Sequence, residues 1–80
     1  MKHAREDYNR IQDPENKIPE DEPVFLLRAQ DIVAPQIVEM WALAAKKVGC
    51  EDNIYTAAME QAGRMKNWQL LHSSKIPDMP

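Results

Sequence analysis

Residues 23–49, PVFLLRAQDIVAPQIVEMWALAAKKVG, form the densest run of large apolar side chains in this 80-residue chain and carry its clearest punctuation. The rest of the chain is organised around them. In the second half, Ile37, Trp41, Ala44, Ala45 and Val48 recur at three- and four-residue steps, joined by Val38, Met40 and Leu43. That spacing predicts an amphipathic helix over residues 35–48. Pro35 suits a first helical turn, where its missing N–H is not needed, and Asp31 is placed to cap a preliminary turn through Ile32 and Val33. Gly49 can adopt the left-handed conformation that ends a helix, with Lys46 and Lys47 set against the negative end of its dipole. The apolar stripe is too wide for one neighbour.

The first half, VFLLRA at 24–29, is a short apolar run that periodicity alone cannot assign. Its length and the pair Val24 and Phe25 favour a strand, with Gln30 and Asp31 as the break into the helix. Pro23 behind Asp21 and Glu22 also makes a good helix start. On either reading Phe25, Leu26 and Leu27 are expected in the core. A strand here needs a hydrogen-bonding neighbour, and the candidates are the residues before it, the C-terminal tail, or the same strand of another copy.

Downstream, Cys50, Glu51, Asp52 and Asn53 read as a helix entrance, with Asp52 or Asn53 as cap and the acidic pair at the positive end of the dipole. The second helix is expected over residues 53–68, with room to continue through Leu71 before Pro77. Its buried line is Ile54, Tyr55, Ala58, Met59, Ala62 and Met65, and Glu60 and Arg64 form an exposed pair four residues apart. Small residues (Ala57, Ala58, Ala62, Gly63) match Ala42, Ala44 and Ala45 for close helix approach. Gly63 costs about 1 kcal/mol of helix propensity relative to Ala, for which close packing is the expected reason.

Residues 1–22 mix charges with Asn, Gln and Pro, and read as an extended, partly disordered acidic arm with a turn at 13–16 and Tyr8 and Ile11 as its bulky apolar residues before Ile18. The expected architecture is therefore mainly α, with this arm, one short strand and an antiparallel helical hairpin in a small domain of residues 23–80. Such a chain buries too little of its own surface to be robust. One cysteine excludes an intrachain disulfide, and Cys50, His3 and His72 match no zinc spacing, so oligomerisation is the expected staple.

Net charge is −3; residues 1–23 hold four basic and seven acidic groups, whereas residues 24–80 hold six of each. That balance argues against a nucleic-acid interface, which needs clustered Lys and Arg to displace counterions from phosphates. No apolar run is long enough to span a bilayer, and the expectation is a soluble, cytoplasmic protein. Catalysis finds no support in paired nucleophile and base, metal set or phosphate loop, so the chain is expected to be non-enzymatic and free of cofactors. The residues that suit a ligand are cations and aromatics: Arg28, Lys47 and Arg64 for an anion, Trp41 and Trp68 for a planar group, with Asp31 beside Arg28. Each also has a structural reading. Arg28 can pair with Asp31 or Glu39, Asp31 can cap, and both tryptophans can pack.

The segment IPEDEPVFLLRAQDIVAP at 18–35, followed by Trp41 and by MKNW at 65–68, resembles a group of small proteins encoded by tailed bacteriophages, over roughly residues 8–80. The resemblance rests on a string of residues and brings no assigned site residues. It implies a context, since short phage proteins of helical, oligomeric build often act as counter-defence factors in the host cytoplasm. Some are sponges that hold the nucleotide signals of bacterial immunity between subunits; others bind and inhibit a host protein directly.

Overall fold

The computed structural model describes residues 2–3 and 13–77. Their order is β1 (Lys2–His3), β2 (Pro23–Val24), α1 (Ala34–Lys47) and α2 (Asp52–Leu71). The two helices pack on each other, and two side-chain contacts give the direction. Lys46 Nζ lies 4.5 Å from the centroid of the Tyr55 ring near the connection, and Lys66 Nζ lies 2.8 Å from Glu39 Oε1 farther from it. A residue late in α1 thus meets one early in α2, and an earlier one meets a later one, as in an antiparallel hairpin.

The helix ends follow local chemistry, though not always the expected chemistry. α1 starts with Pro in its first turn and stops at Gly49, whose φ is 98°. There the Gly49 N–H donates to Lys46 O at 3.0 Å and the Cys50 N–H to Ala45 O at 3.0 Å. This pair of bonds is the Schellman motif, which satisfies carbonyls that the last turn would otherwise orphan. The expected side-chain caps are absent. Val33 and Glu51 occupy the two N-cap positions and neither helix has a side-chain cap hydrogen bond, so neither Asp31 nor Asp52 nor Asn53 plays that part. In their place the Asp31 carbonyl accepts from Ala34 N at 2.9 Å, and the Glu51 carbonyl accepts from Ile54 N at 3.0 Å.

The turn at 13–16 is present, with Asn16 N donating to Asp13 O at 2.9 Å. The Asp13 carboxylate extends it by accepting from the backbone N–H groups of Lys17 and Ile18. Residues 4–12, with Tyr8 and Ile11, lie outside the described residues. β2 pairs in parallel with β1, in the register Lys2 to Pro23 and His3 to Val24. The strand is shorter than the expected 24–29: the described pairing covers Pro23 and Val24, and residues 25–28 have no regular structure. The tail makes a separate bridge, Asp31 to Lys75.

The core is thin. Among the described residues the buried apolar set is Ala34, Pro35, Ala42, Ala62 and Met65, and no large side chain is fully buried. Ala42 of α1 and Ala62 of α2 are almost completely covered, with Ala45, Ala58 and Met59 partly covered. Phe25 and Leu26, expected in the core, are exposed, and Leu27 is half-buried. Ile54, in the first turn of α2, is likewise exposed.

Gly63 does not serve close packing, since a Cβ built on it meets nothing within 4 Å. Gly63→Ala is therefore expected to raise stability by about 1 kcal/mol through helix propensity alone, a gain of roughly 4–8 °C in melting temperature for a chain of this size. A melt showing a loss of stability would reveal a close neighbour on that face of α2.

Candidate ligand groove

Gln61, Arg64, Met65 and Trp68 follow one another at i, i+3, i+4 and i+7, which puts them on one face of α2. Leu27 and Ala29 lie against that face and close a groove of about 260 Å³ lined by these six residues. Met65 and Leu27 give it an apolar floor, while Arg64, Gln61 and Trp68 supply a guanidinium, an amide and an indole.

The polar groups are held loosely. Arg64 Nη1 donates to Gln61 Oε1 at 3.2 Å, and Nη2 stands 4.0 Å from Glu60 Oε2, the pair expected four residues apart on the helix. Both charges are largely exposed, where such a pair is worth well under 1 kcal/mol. An incoming anion would therefore displace little. Trp68 is more constrained: the His72 ring stacks on it with centroids 4.1 Å apart and an angle of 13° between planes. His72 in turn donates from Nδ1 to the Trp68 carbonyl at 2.9 Å, which fixes the proton on Nδ1 because a carbonyl can only accept. His72 thus covers one face of the indole and settles its orientation.

The wall at 27–29 is set from a distance. Gln69 Nε2 donates to Ala29 O at 2.8 Å and to Asp31 O at 3.0 Å, tying the segment before α1 to the last turns of α2. The tail adds a second tie, with Lys75 N donating to Gln30 O and Ile32 N donating to Lys75 O. No pattern in the sequence announces Gln69; its partners are 38 and 40 residues away.

Of the six residues singled out as ligand candidates, Arg64 and Trp68 meet in the groove. Arg28 sits between two lining residues in sequence without being one of them. Asp31 is buried at 7% exposure, and its Oδ1 has no hydrogen-bond partner. Trp41 and Lys47 lie on α1 and do not line the groove. Trp41, with core packing as its structural reading, is 56% exposed. Glu39, considered as a partner of Arg28, is engaged by Lys66. Gln61, Met65, Leu27 and Ala29 are additions the structure makes.

No family model, curated protein or solved structure matches the chain. Cys50 and His72 flank opposite ends of α2, about 30 Å apart at 1.5 Å per residue, and do not meet within one chain as nucleophile and base. Among the described residues no group of three or more His, Cys, Asp and Glu side chains is placed to hold a metal ion. No helix among them is long and apolar enough to cross a membrane.

Proposed function

We propose that the chain is a non-enzymatic binding protein whose groove takes a planar, anionic group of nucleotide type. What supports the reading is one juxtaposition: a loosely held guanidinium and an indole share an apolar recess with a side-chain amide. Arginine supplies a fork of donors for a phosphate, and an aromatic face stacks on a base whatever its sequence. Size limits the ligand. Pockets that enclose drug-sized molecules run from about 300 to 1,000 Å³, so a recess of about 260 Å³ accepts one ring system and leaves the rest of a larger nucleotide outside. With the resemblance to small phage proteins, the role is a counter-defence sponge that sequesters an immune nucleotide signal in the host cytoplasm.

A thermal-shift panel of cyclic di- and trinucleotides and ADP-ribose derivatives tests this, since a ligand that binds only the folded state raises its melting temperature. The expected result is a shift with at least one nucleotide, recovered intact after heat denaturation. Arg64→Ala and Trp68→Ala are each expected to weaken it about 10- to 100-fold, from the roughly 1–3 kcal/mol such contacts carry. Lys47→Ala on the other helix is expected to leave it unchanged. No shift with any member, or a shift indifferent to Arg64 and Trp68, overturns the assignment.

A second reading, an adaptor that binds and inhibits a host protein, draws on the surface at the end of the chain. Leu70, Leu71 and Ile76 are each more than 80% exposed, and runs of exposed apolar groups of this kind mark protein contacts. Its signature is affinity for a host protein that needs no small ligand.

A further inference from the structure

The stripe on α1 that is too wide for one neighbour splits in two. Val38, Ala42 and Ala45 form the less exposed line, and α2 covers it. About a third of a turn around the helix, Val33, Ile37, Met40, Trp41, Ala44 and Val48 form a second line, every one of them exposed. We infer that this second line of α1 is the interface for a second copy of the chain, packed α1 against α1 about a two-fold axis.

Size is the first argument. The large residues of this line and the adjoining Leu43 are between 37% and 86% exposed. With a large apolar side chain presenting on the order of 200 Å², they offer roughly 600 Å² in one stripe. That is at the upper limit of the largest patch on an ordinary monomer, about 300–600 Å². It approaches the ~800 Å² per partner of a stable interface before any rim is counted. The thin core is the second argument. Three alanines, one methionine and Pro35 are the apolar residues buried among those described, and the chain has neither disulfide nor a metal cluster among the described residues to compensate. A four-helix arrangement of two hairpins supplies the missing large-residue layer from Trp41, Met40 and Ile37 of both copies.

Self-complementarity is the third argument, and it selects the occupant. The line itself carries no charge; Lys47, at i+3 from Ala44 and i+7 from Met40, borders it as a rim residue, and the nearby acid, Glu39, is neutralised by Lys66 of the same chain. A two-fold contact asks only that a patch fit itself, which an uncharged apolar stripe with a small residue, Ala44, near its middle does. Antiparallel α1 helices also set each negative C-terminal end beside a positive N-terminal one. The β2 edge is not needed for assembly, since β1 of the same chain pairs with it. The α1 interface leaves the groove on α2 open in each copy, so association stands independently of ligand.

Light scattering on the full chain without ligand reads the mass, and cysteine cross-linking reads the surface. In a Cys50→Ser background, Met40→Cys and Ala44→Cys place a thiol on the proposed interface, and Thr56→Cys places one on an exposed position of α2. We expect twice the 9.2 kDa chain mass at micromolar concentration, and covalent dimer on mild oxidation from Met40→Cys or Ala44→Cys, with none from Thr56→Cys. Trp41→Glu is expected to shift the dissociation constant at least 100-fold, with far-UV circular dichroism at high concentration reporting whether its helices persist. A mass of one chain overturns the inference, as does a dimer that cross-links through Thr56→Cys or through neither position on α1.

Discussion

Ala42→Leu is expected to lower stability by about 3 kcal/mol, the top of the usual range for forcing extra carbons into a closed contact. Ala42 is 0% exposed on α1 and Ala62 1% exposed on α2. Three added carbons at Ala42 have no space to enter. The helices must move apart, which uncovers Met65 and the half-covered Ala45, Ala58 and Met59 together. A chain of this length has a total stability of about 4–12 kcal/mol, and the change is expected to lower the melting temperature by roughly 15 °C. Ala57→Leu makes the same chemical change at an exposed position of α2 and is expected to stay within about 0.5 kcal/mol. Equal losses from the two substitutions would mean that the Ala42 contact does not organise the hairpin.

That contact also explains which parts of the structure could be read in advance. The helices could, because apolar spacing, Gly49 and Pro35 act within a few residues of chain, and local signals of this kind agree with one another. α2 ends at Leu71 rather than Trp68 because nothing between them breaks a helix and His72 supplies a partner for the Trp68 carbonyl. Which alanines meet was less legible. Ala42, Ala44 and Ala45 all lie on the wide stripe of α1, and only the approach angle of α2 buries Ala42, half-covers Ala45 and leaves Ala44 outside. Hydrophobicity marks Phe25, Leu26 and Leu27 alike for burial but does not say which of them is covered: Leu27 lies half-buried in the groove beside Met65, whereas Phe25 and Leu26 are exposed. In the groove, the step from Arg64 to Trp68 is helical and could be read from spacing. Leu27 and Ala29 could not, because their place depends on hydrogen bonds from a glutamine far along the chain.

Gln69→Ala is expected to cost about 2 kcal/mol, although it removes neither a charge nor a core side chain. In the segment leading into α1, the carbonyls of Ala29, Gln30 and Asp31 all find partners, two from Gln69 Nε2 and one from the backbone of Lys75. Asp31 O also accepts from Ala34 N, so the Ala29 carbonyl suffers the larger loss. A half-buried acceptor stripped of its donor loses more than the bond is worth net, about 1–3 kcal/mol against about 1. Gln69→Glu is expected to be worse than Gln69→Ala, since a carboxylate turns acceptor toward acceptor at 2.8 Å. Both substitutions are expected to lower the melting temperature by about 10 °C or more and to speed amide exchange at Asp31, Ile32 and Ala34 ahead of α1. They separate support of the groove from contact with its ligand. Gln69 is not a lining residue, so any loss of nucleotide affinity in the Ala variant must pass through the wall at Leu27 and Ala29. That loss is expected to be partial and to shrink on cooling, as the wall is restored, whereas the loss in Arg64→Ala persists at every temperature. Exchange unchanged at 31–34 in Gln69→Ala would mean that the tail, through Lys75, holds the segment by itself.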